Sequence, residues 1–289
     1  MPLESTAASA AQPPAWLDGD LPLLIWPALD GLGVTAVVTT RQGGVSAGPY
    51  AELNLGLHVG DNPEHVLVNR ARLAAALDRR PADFVFAQQS HGPNVTVVGE
   101  QDRGRGSASQ DDAVRATDAL VTATSGLVLS VLVADCVPIV LVDPLNRLLA
   151  CVHAGWRGTV LGVTNATVEQ LRRLGGNAAN LVACIGPAIH PSRYQVGEEV
   201  LDAATAAFGS QAPTVIAADG DGLWRFDLWA ANIRQLLREG LPASQIHVAE
   251  LDTGPGTPFY SHRNEGPTGR FGLFAWLTSG AAPAGEAGS

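Results

Sequence analysis

No stretch of this 289-residue chain approaches the roughly 18–20 consecutive apolar residues that cross a bilayer, although 46% of its residues are hydrophobic. A membrane-spanning helix is therefore not expected. The opening MPLESTAASAAQPPAW has neither a basic start nor an apolar block. It does not read as a secretory signal, and a cytoplasmic location follows. Clustered positive charge is missing as well: the net charge is −10, with no Lys/Arg-rich run. Sequence-independent nucleic-acid binding neutralises phosphates with such runs, so nucleic acid is set aside as a partner. A small anionic substrate stays open, because a few local arginines suffice for it. Cysteine is scarce. Cys136, Cys151 and Cys184 make an odd count without paired spacing, which leaves burial, metal binding or nucleophilic chemistry rather than a disulfide scaffold. Neither GxxxxGK(S/T) nor a GxGxxG after a strand occurs, so nucleoside triphosphates and dinucleotides have no support.

Repeats and linkers are absent too. The chain reads as one domain over 20–279, with disordered tails at 1–19 and 280–289. VTAVVTT (34–40) is a strand ending in the glycine-rich loop RQGGVSAGPY. A helix follows, with Asn62 as N-cap, Pro63 at its first position, and Leu67, Ala71, Ala74 and Leu77 at helical spacing. FVFAQQ (84–89) and NVTVV (94–98) are strands flanking a tight turn at Ser90–Pro93, and DRGRGSASQDDAVRA (102–116) is a mobile polar loop. Between 118 and 153 come DALVTA, LVLSVLV, PIVLVD and LLACVH. Their continuous apolar character predicts strands covered on both faces. Helices are expected over 158–174, in YQVGEEVLDAATAAF, and over 226–240 with Asp227 as N-cap. NLVACI is another strand, and QIHVAEL closes the regular structure before the tail PFYSHRNEGPTGR. Strands and helices mixed without a strict βαβ rhythm predict an α/β fold, a mixed sheet core covered by helices.

Three strand ends carry unusual polar residues: QQSHG presents His91, ADC presents Asp135 and Cys136, and CVHAGWRG presents His153. Rigid strands with reachable tips are where functional side chains collect. Singly, a cysteine beside a strand is a core residue and a histidine in a turn a hydrogen-bonded one. Together, two imidazoles and a thiolate are a three-ligand set that leaves zinc its fourth tetrahedral position. The same donors suit copper. Cys151, two residues before His153, points to the same face of a strand, but it and Cys184 read as small core residues. Arg41, Arg157, Arg263 and Arg270 lie in or beside glycine-rich segments, and guanidinium forks suit phosphate or carboxylate. A solvated surface role fits Arg270 better than Arg41 or Arg157. Trp156 is divided between base stacking and packing.

TTRQGGVSAGPYAELNLGLHVGDNPEHVLVNR, QQSHG, ADCVPIVLVD, HAGWRG, GPAIHPSRYQVGEEV and FYSHRNEGPTGR occur in this order. Together they resemble one family over roughly residues 20–278. It is known as the multicopper polyphenol oxidoreductase (laccase-domain) family, and also as purine nucleoside phosphorylases and peptidoglycan editing factors. The resemblance implies a single-domain α/β/β/α sandwich with mixed sheets. It implies His91, Cys136 and His153 as metal ligands, usually for Zn2+. It also implies phosphorolysis of adenosine, inosine and S-methyl-5′-thioadenosine to a free base and a ribose 1-phosphate, with adenosine deamination and phenol oxidation as further attributed activities. Asn54, inside the first matched segment, joins Arg41, Arg157 and Arg263 as substrate- or phosphate-binding candidates. One departure stands out: Asp252 of LDTG replaces a cysteine that members commonly carry.

The residues arbitrate among these activities. A multicopper laccase uses many histidines, typically in His-x-His pairs, whereas this chain has seven histidines and no such pair. Phenol oxidation would rest on a single Cu2+ at the His/Cys/His site. Nucleoside chemistry fits better. Deamination needs water activated by a metal, with Asp135 as an acid–base candidate beside Cys136 and His153. Phosphorolysis needs an anion site beside an oxocarbenium-like sugar, for which Arg41 and Arg157 are candidates. Cys136 with His153 or His91 also forms a thiolate–imidazole pair for acyl transfer, suited to an amide-linked peptidoglycan precursor. A non-catalytic metal carrier is the third class. The expected partners are purine nucleosides and phosphate, with the chain a monomer or weak homo-oligomer.

Overall fold

Strands that are apolar at every position must be covered on both faces, and the fold meets that demand by stacking two six-stranded sheets. A computed structural model describes residues 12–279. The first sheet holds β1 (Ala15–Leu17), β2 (Leu23–Ile25), β3 (Val34–Thr39), β4 (Phe84–Phe86), β7 (Val128–Val133) and β15 (Phe271–Leu277), in the order β1-β2-β3-β15-β7-β4. The second holds β5 (Val95–Val97), β6 (Ala119–Thr122), β8 (Val137–Asp143), β9 (Leu148–Ala154), β10 (Val182–Ile185) and β14 (Ile246–Val248), in the order β14-β10-β8-β9-β6-β5. Pairing is antiparallel except for β4 with β7, β5 with β6, and β10 with β14. A small third sheet joins β11 (Gln195–Val196), β12 (Ile216–Gly220) and β13 (Leu223–Phe226).

Alternate residues of each strand enter different cores, as the period of two requires. Val38, Leu129 and Leu273 of the first sheet meet Val140, Leu149 and Cys151 of the second in the layer between them. On the first sheet's outer face, Val37, Phe274 and Trp276 pack against Leu73 and Ala74 of α1 (Pro63–Ala76). On the second sheet's outer face, Ile139, Leu141 and Val152 pack against α3 (Val163–Arg173), α4 (Glu198–Phe208) and α5 (Leu228–Arg238). The architecture is the expected α/β/β/α sandwich. Asn62 caps α1 by accepting from the Glu64 N–H, and Asp227 caps α5 by accepting from that of Ala230.

Several local expectations are corrected. The helix expected over 158–174 is two: α2 (Trp156–Val160) and α3, parted at Gly162, whose φ of 81° is left-handed. Regular structure does not end at QIHVAEL, because α6 (His262–Glu265) and the fully buried β15 follow, β15 lying between β3 and β7. Segment 102–116 is tied down: Arg70 donates to the carbonyls of Gly106 and Ser107, and Val114 bridges Ala87. The disorder expected over 1–19 does not extend to Ala15–Leu17. Ala15–Leu17 pairs with β2, and Trp16 stacks on Phe259 at 6.2 Å. The portion over 1–11, like the tail expected at 280–289, lies outside the described residues.

Candidate metal centre and its cleft

Two connections cross from the first sheet to the second at one end of the sandwich. One joins β4 to β5 and carries His91; the other joins β7 to β8 and carries Asp135 and Cys136. The tight turn expected at Ser90–Pro93 is therefore part of a crossover between sheets. His153 completes the group from the C-terminal end of β9, opposite Pro138 in the ladder. Its parity is that of Cys151, which lies deeper in the inter-sheet core. One donor atom from each of His91, Cys136 and His153 lies within 4.8 Å of the others. The two imidazole rings meet edge-on, centroids 4.7 Å apart. His91 is exposed, Cys136 half-buried and His153 buried, so the cluster opens toward solvent on one side.

Asp118, just ahead of β6, organises this centre. Its Oδ1 lies 2.8 Å from His153 Nδ1, which leaves Nε2 of that ring for the cluster. The same carboxylate accepts the backbone N–H groups of Ser90, His91 and Gly92 and the Ser90 hydroxyl. Those bonds hold His91 at a φ of 58°, a left-handed conformation that costs energy outside glycine. Gly155 is required by space: a Cβ there would lie 2.9 Å from Cys136 Sγ and 2.9 Å from His91 Cδ2.

The electrostatics favour a charged donor set. Burial works to raise the Asp118 carboxyl, but the hydrogen bond and charge of His153, with the Gly92 and Ser90 donors, bring it down to about 2. Burial likewise opposes ionisation of Cys136, yet the charge of His153 and hydrogen bonds from both histidines pull its thiol below the usual range. Once the proton of His153 is displaced, a thiolate flanked by two imidazoles, one steadied by a carboxylate, is the chemistry of a zinc or copper ligand set, and these residues fit such an ion. Cys151 and Cys184 are fully buried, and burial pushes both thiols up. They are core residues.

The open side of the cluster faces a cleft of about 400 Å³, lined also by Asp135, Trp156, Tyr194, His58, Arg263 and Arg270. Asp135 is buried, with φ at 91°. Its Oδ1 accepts from the hydroxyls of Thr253 and Ser261 (both 2.6 Å), and its Oδ2 from the Arg263 N–H at 2.7 Å. Through these bonds Asp135 ties the cysteine turn to the segment that carries Arg263. Asp252, at the departure noted above, takes a similar part: it pairs with Arg193 at 2.8 Å and accepts from the His190 N–H.

The expected anion ligands separate. Arg263 and Arg270 line the cleft; Arg41 and Arg157 do not. Arg41 is paired with Glu265 at 2.6 Å and lies over Tyr260, while Arg157 lies over the Trp156 ring and 3.4 Å from Glu199. Asn54 is fully buried away from the cleft; it bonds Asp61 and accepts from the Arg270 backbone N–H at 2.9 Å. Arg270, read above as surface, is half-buried, with Nη1 on the carbonyls of Thr268 and Gly269. Asp118, His58 and Tyr194 were not singled out from the sequence. Only Asp118 carried a signal, as a lone carboxylate heading an apolar strand.

Residues 35–278 match the family described as "Multi-copper polyphenol oxidoreductase laccase". The purine nucleoside phosphorylase YlmD of Geobacillus stearothermophilus is 39% identical over 84% of this chain and 89% of its own. The purine nucleoside phosphorylase PA4543 of Pseudomonas aeruginosa is 38% identical over 91% of this chain and 98% of its own. The crystal structure of the G. stearothermophilus YlmD superposes with a TM-score of 0.88 at 36% identity, covering 92% of this chain and all of that one. The Bacillus licheniformis hypothetical protein YfiH gives 0.87 at 37% identity, covering 91% of this chain and 99% of that one. On its own sequence and fold, the chain belongs to this laccase-domain family.

Proposed function

We propose that the protein is a metal-dependent purine nucleoside phosphorylase acting on adenosine, inosine and S-methyl-5′-thioadenosine, with zinc held by His91, Cys136 and His153. The observation that carries this reading is the coincidence of a His/Cys/His cluster and half-buried Arg270 in one cleft. Relatives named purine nucleoside phosphorylase, with 84–91% of this chain aligned, support it. A bound ion supplies Lewis acidity on the open side of the cluster. Arg270 holds phosphate: it offers a guanidinium fork against the cleft and has no carboxylate partner among the described residues. Trp156 forms a flat wall for the base, its ring backed by Arg157 at 4.9 Å. Asp135 acts by position, since its oxygens already accept three hydrogen bonds.

Adenosine deamination is the second reading, carried by the same open-sided donor set. Single-copper phenol oxidation would use these donors too. The cluster is the one group of three or more potential metal-ligating side chains among the described residues, which supplies ligands for one ion rather than several. Three free cysteines accord with a cytoplasmic protein, and no helix among the described residues is long and apolar enough to cross a membrane. The test is adenosine with and without phosphate, followed by chromatography and elemental analysis of the same sample. Adenine release that requires phosphate, from protein carrying about one zinc, is the expected result. Equal release without phosphate would make the enzyme a hydrolase and sink the proposal.

A further inference from the structure

A phosphorolysis needs one anion site, and the cleft offers two. Arg263 and Arg270 both line it, and neither has a carboxylate within ion-pair distance among the described residues. They are fixed separately. Arg270 rests on the carbonyls of Thr268 and Gly269, and its backbone is held by Asn54. Arg263 donates Nη1 to the Gln195 carbonyl at 2.7 Å and lies 4.8 Å over the Tyr194 ring. His58 shares the electrostatic surroundings of Arg270, and Tyr194 those of Arg263. The carboxylate in the lining, Asp135, accepts from Thr253, Ser261 and the Arg263 backbone N–H and pairs with neither guanidinium. In a chain of net charge −10, this cleft brings together two guanidinium groups that no carboxylate pairs at contact distance among the described residues.

A neutral nucleoside offers the second guanidinium acceptors but no anionic charge to pair with. We propose that the cleft takes nucleoside 5′-monophosphates, with the phosphate monoester on Arg263 and inorganic phosphate on Arg270. The inference rests on the phosphorolysis reading and extends its substrate class. In the reaction, an oxygen of hydrogen phosphate forms a bond to C1′ and the glycosidic C1′–N9 bond breaks. The base leaves with that electron pair and takes the proton that the phosphate carried. The products are free purine and ribose 1,5-bisphosphate. Bidentate guanidinium–phosphate contacts are strong enough to set substrate preference.

The test compares adenosine and adenosine 5′-monophosphate as substrates of the purified metal-loaded protein, with phosphate present, alongside Arg263→Met and Arg270→Met. Release of adenine and a sugar bisphosphate from the monophosphate is expected. R263M should lower kcat/KM for the monophosphate about tenfold or more beyond its effect on adenosine. R270M should raise the KM for phosphate with both substrates. Circular dichroism confirms that each variant is folded. Turnover of adenosine but not of the monophosphate, or an equal loss for both in R263M, overturns the proposal and leaves phosphorolysis standing. Turnover of neither overturns both.

Discussion

His153 Nδ1 lies 2.8 Å from Asp118 Oδ1, and the same carboxylate accepts the backbone N–H groups of His91 and Gly92, each at 2.8 Å. One buried side chain thus orients two of the three candidate metal donors, one through its ring and the other through its backbone. Asp118→Asn should keep the fold and weaken metal affinity about 10–100-fold, the range found when such supporting groups are removed. Competition against a chelator of known affinity measures this. Unchanged affinity would mean that the carboxylate serves only the turn.

Replacing any of His91, Cys136 or His153 by alanine should remove both bound metal and nucleoside turnover. Each contributes a donor atom to a group spanning 4.8 Å, and two remaining ligands hold a divalent ion poorly. Elemental analysis and activity are read on the same preparation. Turnover surviving in a variant shown to be metal-free would refute the site assignment.

Gly155→Ala tests the packing around the donors. The added methyl would meet Cys136 Sγ and His91 Cδ2, both at 2.9 Å, closer than real Cβ contacts allow. One donor must move, so metal content and activity should fall together while far-UV circular dichroism stays native. Full zinc occupancy in this variant would show that the cluster has slack.

A fourth expectation concerns stability alone. Asn232 of α5 is fully buried; it accepts from the Thr164 hydroxyl and donates to Thr159 Oγ1 and the Leu228 carbonyl. Asn232→Ala leaves buried hydroxyls of α2 and α3 without partners, at a cost of about 2–3 kcal/mol. Denaturant unfolding should record that loss with metal content unchanged. A cost near zero would mean that water or repacking replaces the amide.

The elements that were legible in the sequence are those governed by local rules. The cap and periodicity of α1 and α5 placed them within a residue or two, because capping and amphipathic spacing act over a few positions. β7, β8 and β9 were legible as doubly covered strands, since all their positions but Ser130, Asp143 and His153 are apolar, and every position is buried. β15 had the same signal in FGLFAWL, yet the glycine-rich segment before it masked it as a tail. The broken α2–α3 helix turned on one left-handed glycine at 162, and periodicity does not register φ.

His91, Cys136 and His153 stood out as polar tips of apolar strands, and their residue types alone named the chemistry they suit. The sequence by itself therefore determined the candidate donor types, the burial of the strands and the layered α/β class, each read from short segments. Only the tertiary structure decided that the turns at His91 and Cys136 cross between sheets and meet His153 at one end. It also decided that Asp118 reaches back to hold them, and that Arg263 and Arg270, rather than Arg41 and Arg157, line the cleft. The physical reason is range. Strand and helix patterns are written every two or four residues, whereas a guanidinium's partner is set by which distant carboxylate the fold brings beside it.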